Sequence, residues 1–179
     1  MKITKLLLLF LLCAVLVSGL SCCEDVDDAN QHFNAGMELF EQGQFEEAIE
    51  EFSAGIRIVP DASAIVYAAR GFSYGKLAEY EKAITDFDEA IRLDPEYFTA
   101  YNRRGNLYIV LGDYEQAIED LNESIRIYPQ NPEAYAFRAL AYTYLYMDER
   151  AQQDMDTAVD LGMNPSTLED WIEDAKAQR

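Results

Sequence analysis

The apolar residues of this chain form one short unbroken run and then a long stretch of helical periodicity. Residues 6–17 are Leu, Phe, Cys, Ala and Val with no polar break. At about 12 residues, the run is nearer the core of an export signal than the roughly 20 needed to span a bilayer. Further on, Tyr67, Gly71 and Tyr74 stand at i, i+4 and i+7, as do Tyr101, Gly105 and Tyr108, which places each set on one face of a helix. The Ala, Phe and Ile positions of the segments that follow do the same. The pattern predicts successive helices in pairs, with no strand alternation.

Landmarks recur along this stretch. Pro95 and Pro129 are 34 residues apart and Pro60 precedes Pro95 by 35, with Ser63 as the extra residue. Each proline closes a similar phrase: Ala-Gly-Ile-Arg-Ile-Val-Pro, Glu-Ala-Ile-Arg-Leu-Asp-Pro and Glu-Ser-Ile-Arg-Ile-Tyr-Pro. Proline cannot continue a helix and denies helical geometry to the residue before it, so each one stops a unit. An aromatic slot holds His32, Tyr67, Tyr101 and Tyr135, and a small slot holds Gly36, Gly71, Gly105 and Ala139. A third slot holds Leu39, Tyr74, Tyr108 and Tyr142. In each second helix Ala48, Ala83, Ala117 and Ala151 recur, followed by Phe52, Phe87, Leu121 and Met155. Glycine or alanine in the small slot lets two helix axes approach.

These landmarks resemble the tetratricopeptide repeat, whose pattern runs W-x2-L-G-x2-Y, then A-x3-F, then P. The resemblance implies an all-α, right-handed superhelical solenoid of about four helix pairs over residues 29–165, with repeats at 29–62, 64–97, 98–131 and 132–165. The fourth departs most, with Met163 where proline is expected. One helix pair cannot bury its apolar face alone, so several must stack. Residues 166–179 read as a capping helix. Ser166 with Glu169 makes a capping box, and Leu168, Trp171, Ile172 and Ala175 share an apolar stripe that would bring the only tryptophan into the core.

Charges recur in register as well. Arg70, Arg104 and Arg138 each precede the small slot, and Asp86, Asp120 and Asp154 follow them by 16 residues; the first repeat has Ala35 and Glu51 in those places. An arginine beside a core needs a carboxylate, because an unpaired buried charge is very costly. Pairing within a repeat and pairing with the preceding acid (Glu51–Arg70, Asp86–Arg104, Asp120–Arg138) are both open. The second is favoured, since the first repeat keeps the acid without the arginine.

In the tetratricopeptide family the first helix of each repeat lines a concave groove, which implies protein or peptide binding on the stripe beside the core stripe. Here that stripe carries Phe33 and Met37, then Phe72, then Asn102, Arg103 and Asn106, then Phe137, Leu140 and Tyr144. The polar trio can clamp a peptide main chain or a carboxylate. The apolar members either hold apolar side chains or pack between neighbouring first helices, leaving the trio alone wet. Some chaperone-binding members grip a C-terminal carboxylate with lysines and asparagines. Phe33 and Met37 stand where the first lysine and asparagine belong, so that clamp is not expected.

Lys2 and Lys5, the apolar run and Ser18-Gly19-Leu20-Ser21 make residues 1–22 a signal peptide. Small residues before a cysteine resemble the lipobox of bacterial lipoproteins, with Cys22 (or Cys23) as the lipidated residue and residues 23–28 as an acidic tether. Export to the cell envelope as a membrane-anchored lipoprotein is expected, with plain secretion as the alternative. The lipid anchor would be the only membrane contact. Loss of Lys2 and Lys5 takes the formal charge from −19 to −21. That argues against nucleic acid, whose phosphates require a positive field. No cysteine follows Cys23, so no disulfide staples the domain.

No catalytic constellation, cofactor motif or metal-ligand cluster is evident, and the single histidine, His32, occupies the aromatic slot. The expected function is a non-catalytic adaptor or assembly factor of the envelope. The alternative is a structural module that self-associates within an envelope complex.

Overall fold

The computed structural model describes residues 25–179. Among them all regular structure is helical, as the periodicity predicts. The helices are α1 (25–41), α2 (Phe45–Ile58), α3 (Ala64–Lys76), α4 (Tyr80–Leu93), α5 (Phe98–Leu111), α6 (Tyr114–Ile127), α7 (Pro132–Tyr144), α8 (Asp148–Asp160) and α9 (Pro165–Gln178). They belong to two compact units, one ending at Ala62 and the other running Ser63–Arg179. The signal, Cys22 and Cys23 lie outside the described residues. Residues 25–28, expected in the tether, are helical and exposed. No helix among the described residues is long and apolar enough to cross a membrane.

In the first unit α1 and α2 interlock through two glycines. Phe52 is fully buried against Gly36, where a Cβ would meet its ring at 2.7 Å. In return the Phe33 ring lies on Gly55, where a Cβ has no room. His32 and Glu51 join the same two helices through a 2.7 Å contact between Nδ1 and Oε2. With Ala35 in the arginine slot, the acid is taken up by the histidine of the aromatic slot.

The second unit repeats the arrangement three times. Helix α3 packs on α4, α5 on α6 and α7 on α8; α4 and α6 then pack on the α5 and α7 that follow them. Helix α5 also touches α3 and α7, and α9 lies against α7. Helices α2, α4 and α6 end two residues before Pro60, Pro95 and Pro129, and their capping N–H groups bond Gly55, Ala90 and Ser124 carbonyls. The turn inside each pair needs one residue with positive φ. Gly43 (76°) and Gly112 (87°) meet it without steric cost, whereas Ala78 and Tyr146 are both held at 59°.

The arginines pair within their own repeats, which corrects the expectation of pairing with the preceding acid. Each makes a two-bond fork to the aspartate 16 residues on. Arg70 Nε and Nη2 donate to Asp86 at 2.8 and 2.7 Å, Arg104 to Asp120 at 2.8 and 2.6 Å, and Arg138 to Asp154 at 2.7 and 2.7 Å. The reason lies in the small slot. A Cβ on Gly71 would be 3.1 Å from the Asp86 Cβ, and one on Gly105 would be 3.3 Å from the Asp120 Cβ. The aspartate therefore lies directly under the residue that follows the arginine. The preceding repeat is still engaged, through other residues: Arg104 Nη1 reaches Asp88, and Arg138 Nη1 donates to Asn122 at 2.6 Å.

Tyrosines frame these guanidinium groups, with Arg138 lying 5.6 Å from the Tyr135 centroid and 5.9 Å from that of Tyr142. Burial disfavours the charge on Arg104, but its hydrogen bonds to Asp120 and that carboxylate's charge outweigh the penalty and raise its pKa.

Helix α9 starts earlier than the proposed capping box. Asn164 is the N-cap, its Oδ1 accepting from Thr167 N–H at 3.3 Å, and Pro165 occupies the first turn, where its missing N–H costs nothing. Ser166 is therefore inside the helix. Leu168, Ile172 and Ala175 are buried as the stripe predicts, whereas Trp171 is 37% exposed and stacks on Phe137 at 6.2 Å. The tryptophan is thus at the edge of the core.

Two outcomes test this account of the fold. Asp120→Asn breaks the fork while leaving Asp88, and should destabilise by about 1–3 kcal/mol, seen as a Tm lowered by roughly 3–10 °C in a circular-dichroism melt. An unchanged Tm would mean that the fork is not structural. Ala78→Gly should raise Tm by about 2–4 °C by relieving the left-handed backbone; a lower Tm would show that the turn carries no strain.

Candidate functional site

One face of the second unit opens into a cavity of about 240 Å³. The last turns of α3 supply Gly71, Phe72, Gly75 and Lys76; α5 supplies Arg103, Asn106, Leu107 and Val110; Tyr80 and Phe87 of α4 complete the lining. The helical repeat explains the grouping. Phe72 and Lys76 are four apart, as are Gly71 and Gly75, while Arg103, Asn106, Leu107 and Val110 follow the three-and-four spacing of one face.

Phe72 is the centre of the site. The Lys76 Nζ lies 5.0 Å and the Arg103 guanidinium 5.3 Å from its ring centroid. Both cations are held by the negative face of the ring. Arg103 also lies 3.5 Å from Glu133 at the start of α7, a long contact that leaves most of its donors available. Among the described residues Lys76 has no carboxylate within ion-pair distance. A chain with a formal charge of −19 thus presents two cations, an amide and an apolar floor at one opening.

Of the residues expected in a groove, three line this cavity and the others do not. Phe72, Arg103 and Asn106 come together. Asn102, expected to be wet beside them, is 2% exposed and does not line the cavity. Its Nδ2 donates to Glu133 at 3.4 Å, and its Oδ1 is buried without a partner. One step along a helix turns a side chain by about 100°, which takes position 102 under α7 while 103 and 106 face outward.

Phe137, Leu140 and Tyr144 are not an open apolar wall either. All three pack on the cluster around Ile109 and Leu121, and Leu140 also packs on the cluster of Ala139, Ala151 and Ile172. Phe137 is stacked on Trp171, and Tyr144 is stacked on Tyr114 at 4.6 Å with its hydroxyl 3.3 Å from Gln178. Of the two readings open for them, these contacts are packing, in part against α9. Phe33 is likewise committed to Gly55, and Met37 is half-buried, both in the first unit.

Lys76, Gly75, Tyr80, Leu107 and Val110 were not anticipated. The signal for Lys76 was present, since it lies one turn beyond Phe72 on the same stripe. Tyr80 belongs to a second helix and could not be reached by counting along first helices.

Comparison with known proteins agrees with the helical-repeat fold. Family models described as tetratricopeptide repeat match residues 32–61 and 68–132. Small glutamine-rich tetratricopeptide repeat-containing protein 2 of Saccharomyces cerevisiae is 39% identical over 59 residues, covering 33% of this chain and 17% of that protein. The Hsp70-Hsp90 organizing protein of Triticum aestivum is 33% identical over 75 residues, covering 42% of this chain and 13% of its own length. The matched stretch is therefore a small part of each relative.

Among solved structures, the first tetratricopeptide domain of Spaghetti (RPAP3), bound to the HSP90 peptide SRMEEVD, aligns with a TM-score of 0.64 and 27% identity. That alignment covers 67% of this chain and 94% of that one. The crystal structure of MamA aligns with a TM-score of 0.71 and 24% identity over 85% of this chain and 82% of its own, a likeness of fold alone. The matched repeats together span more than half of the sequence, and the chain belongs to the tetratricopeptide-repeat family.

Proposed function

We propose that this chain is a non-catalytic adaptor or assembly factor that captures a peptide segment of another protein at the cavity of Phe72, Lys76, Arg103 and Asn106. The observation that carries this reading is the pairing of two cations on one aromatic ring at the mouth of an apolar recess, in a chain that is otherwise strongly acidic. Such an opening offers donors to carbonyls or carboxylates and a recess for an apolar side chain, the complement of a peptide.

The solved domains of RPAP3, with the HSP90 peptide SRMEEVD and the HSP70 peptide SGPTIEEVD, show that the fold supports such capture. The chaperone-tail clamp itself is not part of the proposal, because Phe33 and Met37 replace its first lysine and asparagine. His32 is held by Glu51 in place of a repeat ion pair, which gives it a packing role. The proposal places the protein in the cell envelope, anchored by lipid on Cys22 (or Cys23), on the strength of the sequence before residue 25.

A second reading is a structural module that self-associates. It is favoured by Val110 and Leu111, which are 57% and 41% exposed on consecutive positions of α5. Dimerisation in sedimentation velocity that is abolished by Val110→Ser would support it over capture.

In capture from envelope extract, Arg103→Ala with Asn106→Ala should lose the parent's partner, with affinity falling about 10- to 100-fold at unchanged Tm. Asn102→Leu should keep it. Loss with Asn102→Leu but not with the double variant would move the site under α7. For the anchor, Cys22→Ser should release the protein from membranes in fractionation, with Cys23→Ser as the comparison. Membrane retention in both single variants and in the double variant would exclude a cysteine-borne lipid.

A further inference from the structure

Gly75 is a glycine that neither packing nor backbone requires. At Gly105 a Cβ would press on Leu121 at 2.9 Å and on the Ala117 carbonyl oxygen at 3.2 Å, so close approach of α5 and α6 excludes a side chain. At Gly75 the same atom would meet only Leu107 Cδ2 at 3.6 Å and Ala83 Cβ at 4.0 Å, which are ordinary contacts. Nor is its φ positive, since the left-handed glycines are Gly43, Gly112 and Gly162. Gly75 lies within α3, where alanine would hold the helix better. What the missing side chain leaves behind is space, because Gly75 lines the cavity between Leu107 and Lys76.

That space has a defined chemistry. Its walls beside Gly75 are Tyr80, Phe87, Leu107 and Val110, and the cations at its mouth are Lys76 and Arg103. A dry cavity of about 150 Å³ admits a benzene-sized group, so 240 Å³ accommodates a leucine or phenylalanine side chain. With both cations held against Phe72, a group entering the recess has positive charge beside it.

We propose that Gly75 is the specificity-determining residue of this cavity: it keeps open a slot for a large apolar side chain of the bound peptide, next to a carboxylate held by Lys76 and Arg103. The partner segment is therefore one in which a leucine-sized residue adjoins an Asp or Glu side chain, since the clamp for a chain-end carboxylate lacks its first lysine and asparagine at Phe33 and Met37. This rests on the reading of the cavity as a peptide site, and it adds the identity of the side chain selected and the residue that selects it.

The test uses the full chain on an array of N-acetylated hexapeptides whose central pair is apolar–acidic, apolar–amide or alanine–acidic. Each peptide is made with an amidated and with a free C-terminus, and preferred peptides are measured by fluorescence anisotropy. The parent should prefer the apolar–acidic pair. Gly75→Ala should weaken that binding several-fold and Gly75→Leu by about tenfold or more, while neither lowers Tm, because both are better helix formers at a site with room.

Amidated and free-acid apolar–acidic peptides should bind alike, since the carboxylate is that of a side chain; binding that needs the free C-terminus overturns the proposal. The proposal stands when Gly75→Leu abolishes the binding of both forms. If parent and Gly75→Leu bind the same peptides equally, the slot is overturned while the peptide site stands. If the parent binds no better than Arg103→Ala with Asn106→Ala, both fall together.

Discussion

The second unit depends on how closely paired helices approach at the small slot. With hydrogen in place of a methyl group at Gly71 and Gly105, the partner helix comes near enough for Phe87 and Leu121 to be buried. The same approach brings Asp86 and Asp120 under the neighbouring arginines. A larger residue would separate the axes and undo both effects, since dense apolar packing and the two-bond fork use the same geometry. In the last pair Ala139 fills the slot, and the partner position holds Met155, an unbranched side chain that adapts to the remaining space. One steric constraint thus links the core, the ion pairs and the spacing that lets α3 and α5 leave a recess between them.

Much of this was legible in the sequence because the repeat states each constraint several times. Helix pairs, the stops before Pro60, Pro95 and Pro129, and the buried alanines of each second helix follow from period and residue type. The pairing of the arginines was not legible. A separation of 16 within a repeat and of 18 or 19 to the acid before it both suit facing helices, and only the rotation of those helices decides. Glu51 in the first repeat misled for a physical reason: the acid was kept for His32, which spacing alone could not show.

The candidate site divides in the same way. The stripe beside the core grouped Phe72, Arg103 and Asn106, which line one cavity, but a stripe counted along a helix carries an error of about one residue. For Asn102 one residue is the difference between solvent and burial. A capping helix over the last repeat was expected, but not which residues of α7 it would cover, and the capping box hid that α9 begins at Pro165. Lys76 needed one more turn of the stripe, and Tyr80 needed a neighbouring helix. Features that depend on one helix were readable, and those that depend on three were not.

The central claim is that the recess between α3 and α5 is where a partner segment is held. The most direct measurement is a nuclear magnetic resonance titration of the isotope-labelled protein with the captured peptide, following side-chain amides and methyl groups. The account predicts that the Asn106 amide and the Leu107 and Val110 methyl groups shift first and together, with intermolecular contacts to the peptide, while the Leu168 and Ile172 methyl groups under α9 stay in place. Shifts confined to residues outside α3 and α5, with Asn106, Leu107 and Val110 unmoved at saturation, would contradict it.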